Sequence, residues 1–236
     1  MIDETASEEV NARIARLVDA DAFLAADPDL ARAVATAGRL RLLGDGELAA
    51  AVDERRRTIT GLVAGTVLLW VALPDGSMRP LHVLRPGAWF ASFPLLSGEA
   101  RRIALSASGP VCVLHLDEPA VDRLVDTQPV IWRWLTQLAA QHLDRALATC
   151  AGLLAERPLP RIAGRLLALA GEAVDPDAAI DLKQSDVALL SGLSRNTVSR
   201  TLGQLEASGL IARGYRRLRV LDRAGLARVA SGAAPA

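Results

Sequence analysis

Hydrophobic residues recur along the chain with three successive periodicities. Up to about residue 40 they keep the spacing of an α-helix, with a break at Asp27-Pro28, as in the set Val10, Ile14, Leu17 and Val18. Over residues 58–116, short β-type runs alternate with turn sequences that contain Pro and Gly. Helical spacing returns after Asp117. The pattern predicts short helices, then an antiparallel barrel or jelly roll, then a second helical region.

A long helix is predicted from about Pro129 to Leu154. Its apolar stripe repeats at intervals of three and four residues and consists of Leu143, Leu147, Cys150 and Leu154. One small barrel is too short to cover this stripe, so the pattern favours pairing with the same helix of a second copy. The alternative is a helix that packs only against its own chain. Pro158 and Pro160 interrupt the helical pattern and predict a domain boundary there.

The run SDVALLSGLSRNTVSRTLGQLEASGLI predicts a helix-turn-helix. Asp186–Leu190 is the first helix, Gly192 supplies a turn residue with positive φ, and Leu193 fills the corner. Ser194 occupies the N-cap position of the second helix, where its hydroxyl accepts from the amide of residue 196 or 197. The buried face of that helix is predicted to be Val198, Leu202 and Leu205.

The opposite face of the second helix is polar. Side chains at the start of a helix reach base edges when the helix enters the major groove of DNA. The predicted base-reading residues are Arg195, Asn196, Ser199 and Arg200. RGYRRLRVL predicts a hairpin wing around Gly214, and phosphate contacts are predicted for Ser194, Thr197, Thr201, Gln204, Arg213, Arg216 and Arg217. The alternative is a surface helical hairpin whose polar face is merely solvated.

Charge is segregated along the 236-residue chain. Its 27 basic and 27 acidic residues give a net charge of zero, which by itself argues against a nucleic-acid partner. Residues 194–228, however, contain eight arginines opposed only by Glu206 and Asp222. This distribution suits one end that meets a polyanion. The chain has no apolar run of about 18 residues and an acidic N-terminus, so we expect a cytoplasmic protein with no membrane span.

Few residues suit catalysis or cofactor binding. Cys112 and Cys150 are the only cysteines, whereas an iron-sulfur cluster needs about four. They lie far apart without the spacing of a zinc site, so we expect both to be buried and inert. The three histidines, His82, His115 and His142, are scattered and lack the His-x-His spacing of metal-dependent jelly-roll enzymes. No nucleophile elbow or phosphate loop is present. We therefore expect a non-enzyme and predict no cofactor.

The order of the elements, with LSRNTVSRTLGQLEASGLI at residues 193–211, resembles the Crp/Fnr family of bacterial regulators. Support comes from VAGTV at 63–67 and PGAWF at 86–90, which look like the glycine motifs of the family's barrel. The resemblance implies a homodimer that binds a palindromic operator of double-stranded DNA and contacts RNA polymerase. Arg195 and Arg200 match DNA-contacting positions of the family, whereas Asn196 stands where glutamate is usual.

The resemblance weakens in the sensor. The family's nucleotide cassette has Gly-Glu-Leu followed by Arg-Ser, and the matching positions here carry Ala91, Ser92, Phe93, Arg102 and Ile103. Effector contacts are therefore assigned to Arg102, Ser92, Phe93 and Ile103. We expect cyclic AMP not to bind in its usual mode, and the effector stays unknown.

The resemblance implies an α+β protein of three parts. Residues 1–128 would form a cyclic-nucleotide-binding-like sensor with a β jelly roll from about residue 40. Residues 129–155 would be the dimerisation helix, and residues 156–236 a winged helix-turn-helix that binds DNA. The function predicted is transcription regulation. The alternative is a cyclic-nucleotide-binding-like scaffold that acts through protein-protein contacts.

Overall fold

The computed structural model describes residues 4–171, 184–214 and 217–234. The chain divides into two compact units, Met1–Ala140 and Gln141–Ala236, called here the first and the second unit. The helices are α1 (Glu4–Asp19), α2 (Ala22–Ala26), α3 (Pro28–Ala37), α4 (Phe93–Ser97), α5 (Glu118–Thr127), α6 (Ile131–Leu154), α7 (Pro158–Gly171), α8 (Gln184–Ser191), α9 (Arg195–Ala207) and α10 (Arg223–Ala230). The strands are β1 (Arg39–Leu43), β2 (Leu48–Ala50), β3 (Ile59–Ala64), β4 (Val67–Ala72), β5 (Met78–Leu84), β6 (Trp89–Phe90), β7 (Ile103–Ala107), β8 (Val111–Leu116), β9 (Ile211–Gly214) and β10 (Arg217–Val220).

Two four-stranded antiparallel sheets build the barrel of the first unit. Their strand orders are β1-β8-β3-β6 and β2-β7-β4-β5. Side chains from both sheets, such as Leu62 and Leu105, share one buried core. Between β3 and β4, Gly65 has a φ of +90°, and a Cβ there would lie 2.5 Å from the carbonyl oxygen of Pro110. Only glycine, here the glycine of the VAGTV motif, fits this close approach.

The N-terminal helices pack against the barrel and against the start of α6. Leu17, Leu24 and Trp134 belong to one buried cluster, in which the ring of Trp134 meets that of Trp89 edge-on at 5.0 Å. The Asp21 carboxylate accepts from the amides of Phe23 (2.9 Å) and Leu24 (3.1 Å) and from the indole N–H of Trp134 (3.0 Å). One buried carboxylate therefore caps α2 and anchors α6.

The second unit contains the C-terminal part of α6, helices α7–α10 and the β9–β10 hairpin. Its buried side chains include Ile162, Leu166, Val187, Leu202 and Leu226. The predicted hairpin is confirmed, since β9 and β10 pair antiparallel from Gly214↔Arg217 to Ile211↔Val220. With the barrel of the first unit, this arrangement confirms the predicted fold class.

Several details differ from the sequence analysis. β1 and β2 both precede residue 58, where the predicted β-runs begin. Cys112 is buried as expected, and burial raises the pKa of its thiol. Cys150 is exposed in the single chain, on the outward stripe of α6 beside Leu147 and Leu154, so its expected burial requires a second copy. The acidic, Pro-containing stretch GEAVDPDAAID at residues 171–181 is typical of a surface loop, and it lies almost wholly outside the described residues. Among the described helices, none has the length and apolar character that a membrane span needs.

Candidate DNA-binding site

A glycine turn joins α8 to α9. Gly192 has a φ of +63°, a left-handed conformation that favours glycine, as predicted. The amide of Leu193 then donates to the carbonyl oxygen of Ala188 (3.1 Å), so the chain reverses within a few residues. This turn fixes where α9 begins.

Ser194 caps the N-terminus of α9. Its Oγ accepts from the amide of Thr197 (3.1 Å) and lies 2.8 Å from the Thr197 hydroxyl. The predicted N-cap is confirmed, with Thr197 as the donor. Because the two hydroxyls are bonded to each other, their first role is to hold the helix start at the protein surface.

The two faces of α9 differ sharply in exposure. Val198, Leu202 and Leu205 are fully buried, as their spacing predicts. The predicted base-reading side chains are all exposed: Arg195, Asn196, Ser199 and Arg200. The guanidinium groups of Arg195 and Arg200 make no hydrogen bond or ion pair with the residues that the structure describes. The helix therefore offers two guanidinium groups and one amide to an external partner.

Two of the predicted phosphate contacts on α9 behave differently. Gln204 is exposed, as a phosphate contact requires. Thr201 is only 3% exposed, so it cannot reach a phosphate and the prediction of a phosphate contact is wrong for this residue. It lies three residues after Val198 and four before Leu205, which places it beside the buried stripe of the helix.

The wing is attached to α9 by one ion pair. The Glu206 carboxylate accepts from Nε of Arg213 (2.7 Å) and from a second nitrogen of the same guanidinium (2.6 Å). It also accepts from the backbone amide of Arg213 (3.0 Å). These hydrogen bonds lower the pKa of the Glu206 carboxyl. A phosphate would compete with Glu206 for Arg213. Arg216 lies outside the described residues, as does the side chain of Arg217, whose backbone pairs with Gly214.

An apolar stripe is exposed on the C-terminal half of α6. Leu143 and Leu147 are each 61% exposed and Leu154 is 80% exposed, with Cys150 exposed between them. These four residues are the ones that the sequence assigns to the dimer helix. Large apolar side chains at this spacing on one chain mark a surface that a partner covers.

The predicted effector residues do not form one pocket surface. Ser92 is buried, Ile103 is half-buried, and Arg102 and Phe93 are exposed. The buried arginine of this region is instead Arg101, which is 1% exposed and which the sequence analysis missed. Arg101 and Arg102 both precede β7, whose residues are almost all buried, so strand alternation does not distinguish the two arginines and the sequence carries no local signal for Arg101.

Arg101 is bonded from several sides. Its guanidinium forms an ion pair with Glu54 and donates to Thr58 Oγ1 (2.8 Å) and to the carbonyl oxygen of Ala91 (2.8 Å). A further bond reaches the carbonyl oxygen of Arg56 (3.2 Å). Burial lowers the pKa of Arg101, and the Glu54 charge opposes that effect.

The fold and the exposed polar face of α9 define a winged-helix DNA-binding protein with a jelly-roll domain. Residues 160–229 match the family model of the Crp-like helix-turn-helix domain. The transcriptional regulator LdrP of Thermus thermophilus is 32% identical over 184 residues, which cover 76% of this chain and 91% of LdrP. The chain belongs to the Crp/Fnr family of transcriptional regulators, so the predicted family and DNA-binding function are confirmed.

Other relatives agree with this assignment. The HTH-type transcriptional regulator Cmr of Mycobacterium tuberculosis is 33% identical over 160 residues, 66% of this chain and 63% of Cmr, so the match spans less than two thirds of that protein. A solved CRP-family regulator, also of Thermus thermophilus, has a TM-score of 0.62 at 29% identity, over 82% of this chain and 97% of that one. FixK2 of Bradyrhizobium japonicum, with a TM-score of 0.69 at 24% identity over 84% and 99%, shares the fold.

Proposed function

We propose that this regulator binds a palindromic operator as a homodimer and reads its bases through the start of α9. One observation carries the proposal: Arg195, Asn196, Ser199 and Arg200 are exposed together, while the opposite face of the same helix is fully buried. A helix with this division packs firmly on its own domain and presents only polar side chains to the major groove.

The side chains divide into two roles. Arginine pairs with O6 and N7 of guanine, and asparagine pairs with N6 and N7 of adenine. We assign these pairings to Arg200 and Asn196. Arg195, at the first position of the helix, is placed for a base or a phosphate, and Gln204 for a phosphate that fixes the register of the helix.

The exposed stripe of α6 supplies the dimer contact. Pairing the stripe with its copy removes four apolar or sulfur-containing side chains per chain from water. A two-fold dimer presents two copies of α9, so its half-sites lie about one helical turn apart, ~34–36 Å. Bound beside a promoter in the cytoplasm, such a dimer would act by contact with RNA polymerase.

Selection of operators from a random DNA pool tests the assignment. The wild-type dimer should select a palindrome with adenine at the Asn196 position, and Asn196→Glu should change that base to cytosine, whose N4 amino group donates to a carboxylate. Gln204→Glu is the matched control, since it adds the same charge to α9 but should weaken binding without changing any selected base. Identical base preferences for the wild type and Asn196→Glu would refute the assignment.

The salt dependence of the affinity is a second readout. Arginine contacts to phosphates release counterions, so the logarithm of the affinity should fall linearly as the logarithm of the salt concentration rises. An affinity independent of salt would instead favour the scaffold alternative, in which the C-terminal domain contacts protein.

A further inference from the structure

Arg101 has the features of an anion-binding group buried in the first unit. It is the largest charged side chain among the fully buried residues that the structure describes. Its terminal nitrogens reach Glu54, Thr58 and Ala91, but its Nε is buried and has no hydrogen-bond partner within the described residues. An arginine fork that keeps one buried donor unsatisfied has capacity for a further acceptor oxygen.

The chain around Arg101 is held in an unusual conformation. Among the described residues, only two besides glycine have a positive φ, Asp53 (+62°) and Ala91 (+71°). Both are bonded to Arg101: the Asp53 amide donates to its carbonyl oxygen (2.9 Å), and the Ala91 carbonyl accepts from its guanidinium. Strained backbone of this kind persists where the surroundings over-determine it, and it clusters at ligand sites.

The Glu54 carboxylate lies against the Arg101 guanidinium, where a bound anion would lie. Its carboxylate is bonded to the buried guanidinium of Arg101 on one oxygen and to Nε of the exposed Arg56 (2.8 Å) on the other. The Glu54 side chain is 20% exposed, so it enters from the surface side of the site. A negatively charged group whose two oxygens each meet a guanidinium has the kind of donors that a bound phosphate would use.

We propose that Arg101 forms an oxyanion site which the chain fills with its own Glu54 carboxylate, so that a free phosphate group binds there only when Glu54 is absent. The family resemblance matches the phosphate-binding arginine to the exposed neighbour Arg102, so the Arg101 site is distinct from the predicted effector contact. The proposal does not depend on the DNA contacts assigned to α9.

Thermal unfolding of the full-length protein, followed by tryptophan fluorescence, tests the proposal. All four tryptophans, at positions 70, 89, 132 and 134, lie in the first unit, so the signal reports that unit alone. Each variant is melted in sodium chloride, in sodium phosphate of equal ionic strength, and in chloride with cyclic AMP. For the wild type we expect the same Tm in all three solutions.

Glu54→Ala should lower the Tm in chloride by roughly 5 °C or more, because a buried guanidinium loses its counter-charge. Phosphate should restore at least half of that loss in a saturable manner. Rescue by phosphate alone would identify a site for a small oxyanion, and rescue by cyclic AMP as well would show room for a nucleoside. Glu118→Ala is the matched control, since it removes a carboxylate from the exposed Arg57 pair of the same unit and should show no phosphate-specific rescue.

Two outcomes would overturn the proposal. Saturable stabilisation of the wild type by phosphate would show that Arg101 is open to free anions. A Glu54→Ala protein with the same Tm in chloride and phosphate would show that no anion site exists. If Glu54→Ala does not fold in chloride, refolding in phosphate decides: folded protein supports the proposal, and unfolded protein in both solutions counts against it.

Discussion

Arg200 in the second unit and Arg101 in the first are the same side chain in opposite circumstances. Arg200 is exposed on α9 and has no hydrogen-bond or ion-pair partner among the residues that the structure describes. Arg101 is 1% exposed and is bonded to a carboxylate, a hydroxyl and two backbone carbonyls. The first guanidinium is available to a molecule outside the chain, whereas the terminal nitrogens of the second are bonded inside it.

Because of this difference, we expect removal of Arg200 to change the affinity for DNA and removal of Arg101 to change the stability of the fold. A solvated guanidinium keeps its hydration until a phosphate or a base displaces the water, so its removal affects binding and leaves folding nearly unchanged. A buried guanidinium has exchanged water for protein partners, and its removal leaves those partners without a counter-charge. The two units of this regulator thus respond differently to the loss of one arginine.

The largest effect is expected for Arg101→Ala. It should lower the free energy of unfolding of the first unit by about 3–5 kcal/mol, because Glu54 keeps its charge and loses the buried half of its pairing. Urea unfolding followed by tryptophan fluorescence measures the change. Arg102→Ala is the matched control, since this neighbouring arginine is exposed and should cost less than about 0.5 kcal/mol. Equal losses for the two variants would contradict the distinction between them.

Leu147→Glu should disrupt the proposed dimer. The substitution places two like charges in an apolar seam, and we expect the dimer dissociation constant to rise by about 100-fold or more, ~3 kcal/mol. Analytical ultracentrifugation over a concentration series measures the constant. Gln137→Glu adds the same charge to an exposed position of α6 outside the stripe and should leave the dimer intact. An unchanged constant for Leu147→Glu would place the interface elsewhere.

Arg200→Ala should weaken operator binding by about 1–3 kcal/mol for each half-site. The free energy of unfolding should stay within about 0.5 kcal/mol of the wild type, because Arg200 has no partner in the described part of the chain. Fluorescence anisotropy with the selected operator measures the affinity. Arg123→Ala, an exposed arginine of the first unit, should change neither quantity. If Arg200→Ala lost stability rather than affinity, the comparison with Arg101 would fail.

The same contrast explains which sites the sequence predicts. The buried face of α9 follows from helical periodicity, since Val198, Leu202 and Leu205 repeat at intervals of four and three, and the remaining polar residues must then face outward. Thr201 was misassigned because it borders that buried face, where a small change of helix phase decides exposure. The error is confined to one residue of a local pattern.

The Arg101 site depends on a contact that no local pattern contains. Glu54 lies 47 residues earlier in the chain, and the barrel topology brings the two together. The spacing of the family's cassette matches Arg102, which is the exposed neighbour. Cys150 shows the same limit, because its exposure depends on whether a second chain covers α6 and not on the composition of the helix.

The smallest expected effect separates two serines of the same helix. Ser194→Ala removes the hydroxyl that accepts from the Thr197 amide, so α9 should lose about 1 kcal/mol of stability. Ser199→Ala, at an exposed position inside the helix, should change stability by less than about 0.5 kcal/mol and weaken operator binding instead. Urea unfolding followed by far-UV circular dichroism, paired with anisotropy on the operator, measures both quantities. If the two variants lost stability alike, Ser194 would not be acting as the cap that positions the base-reading residues.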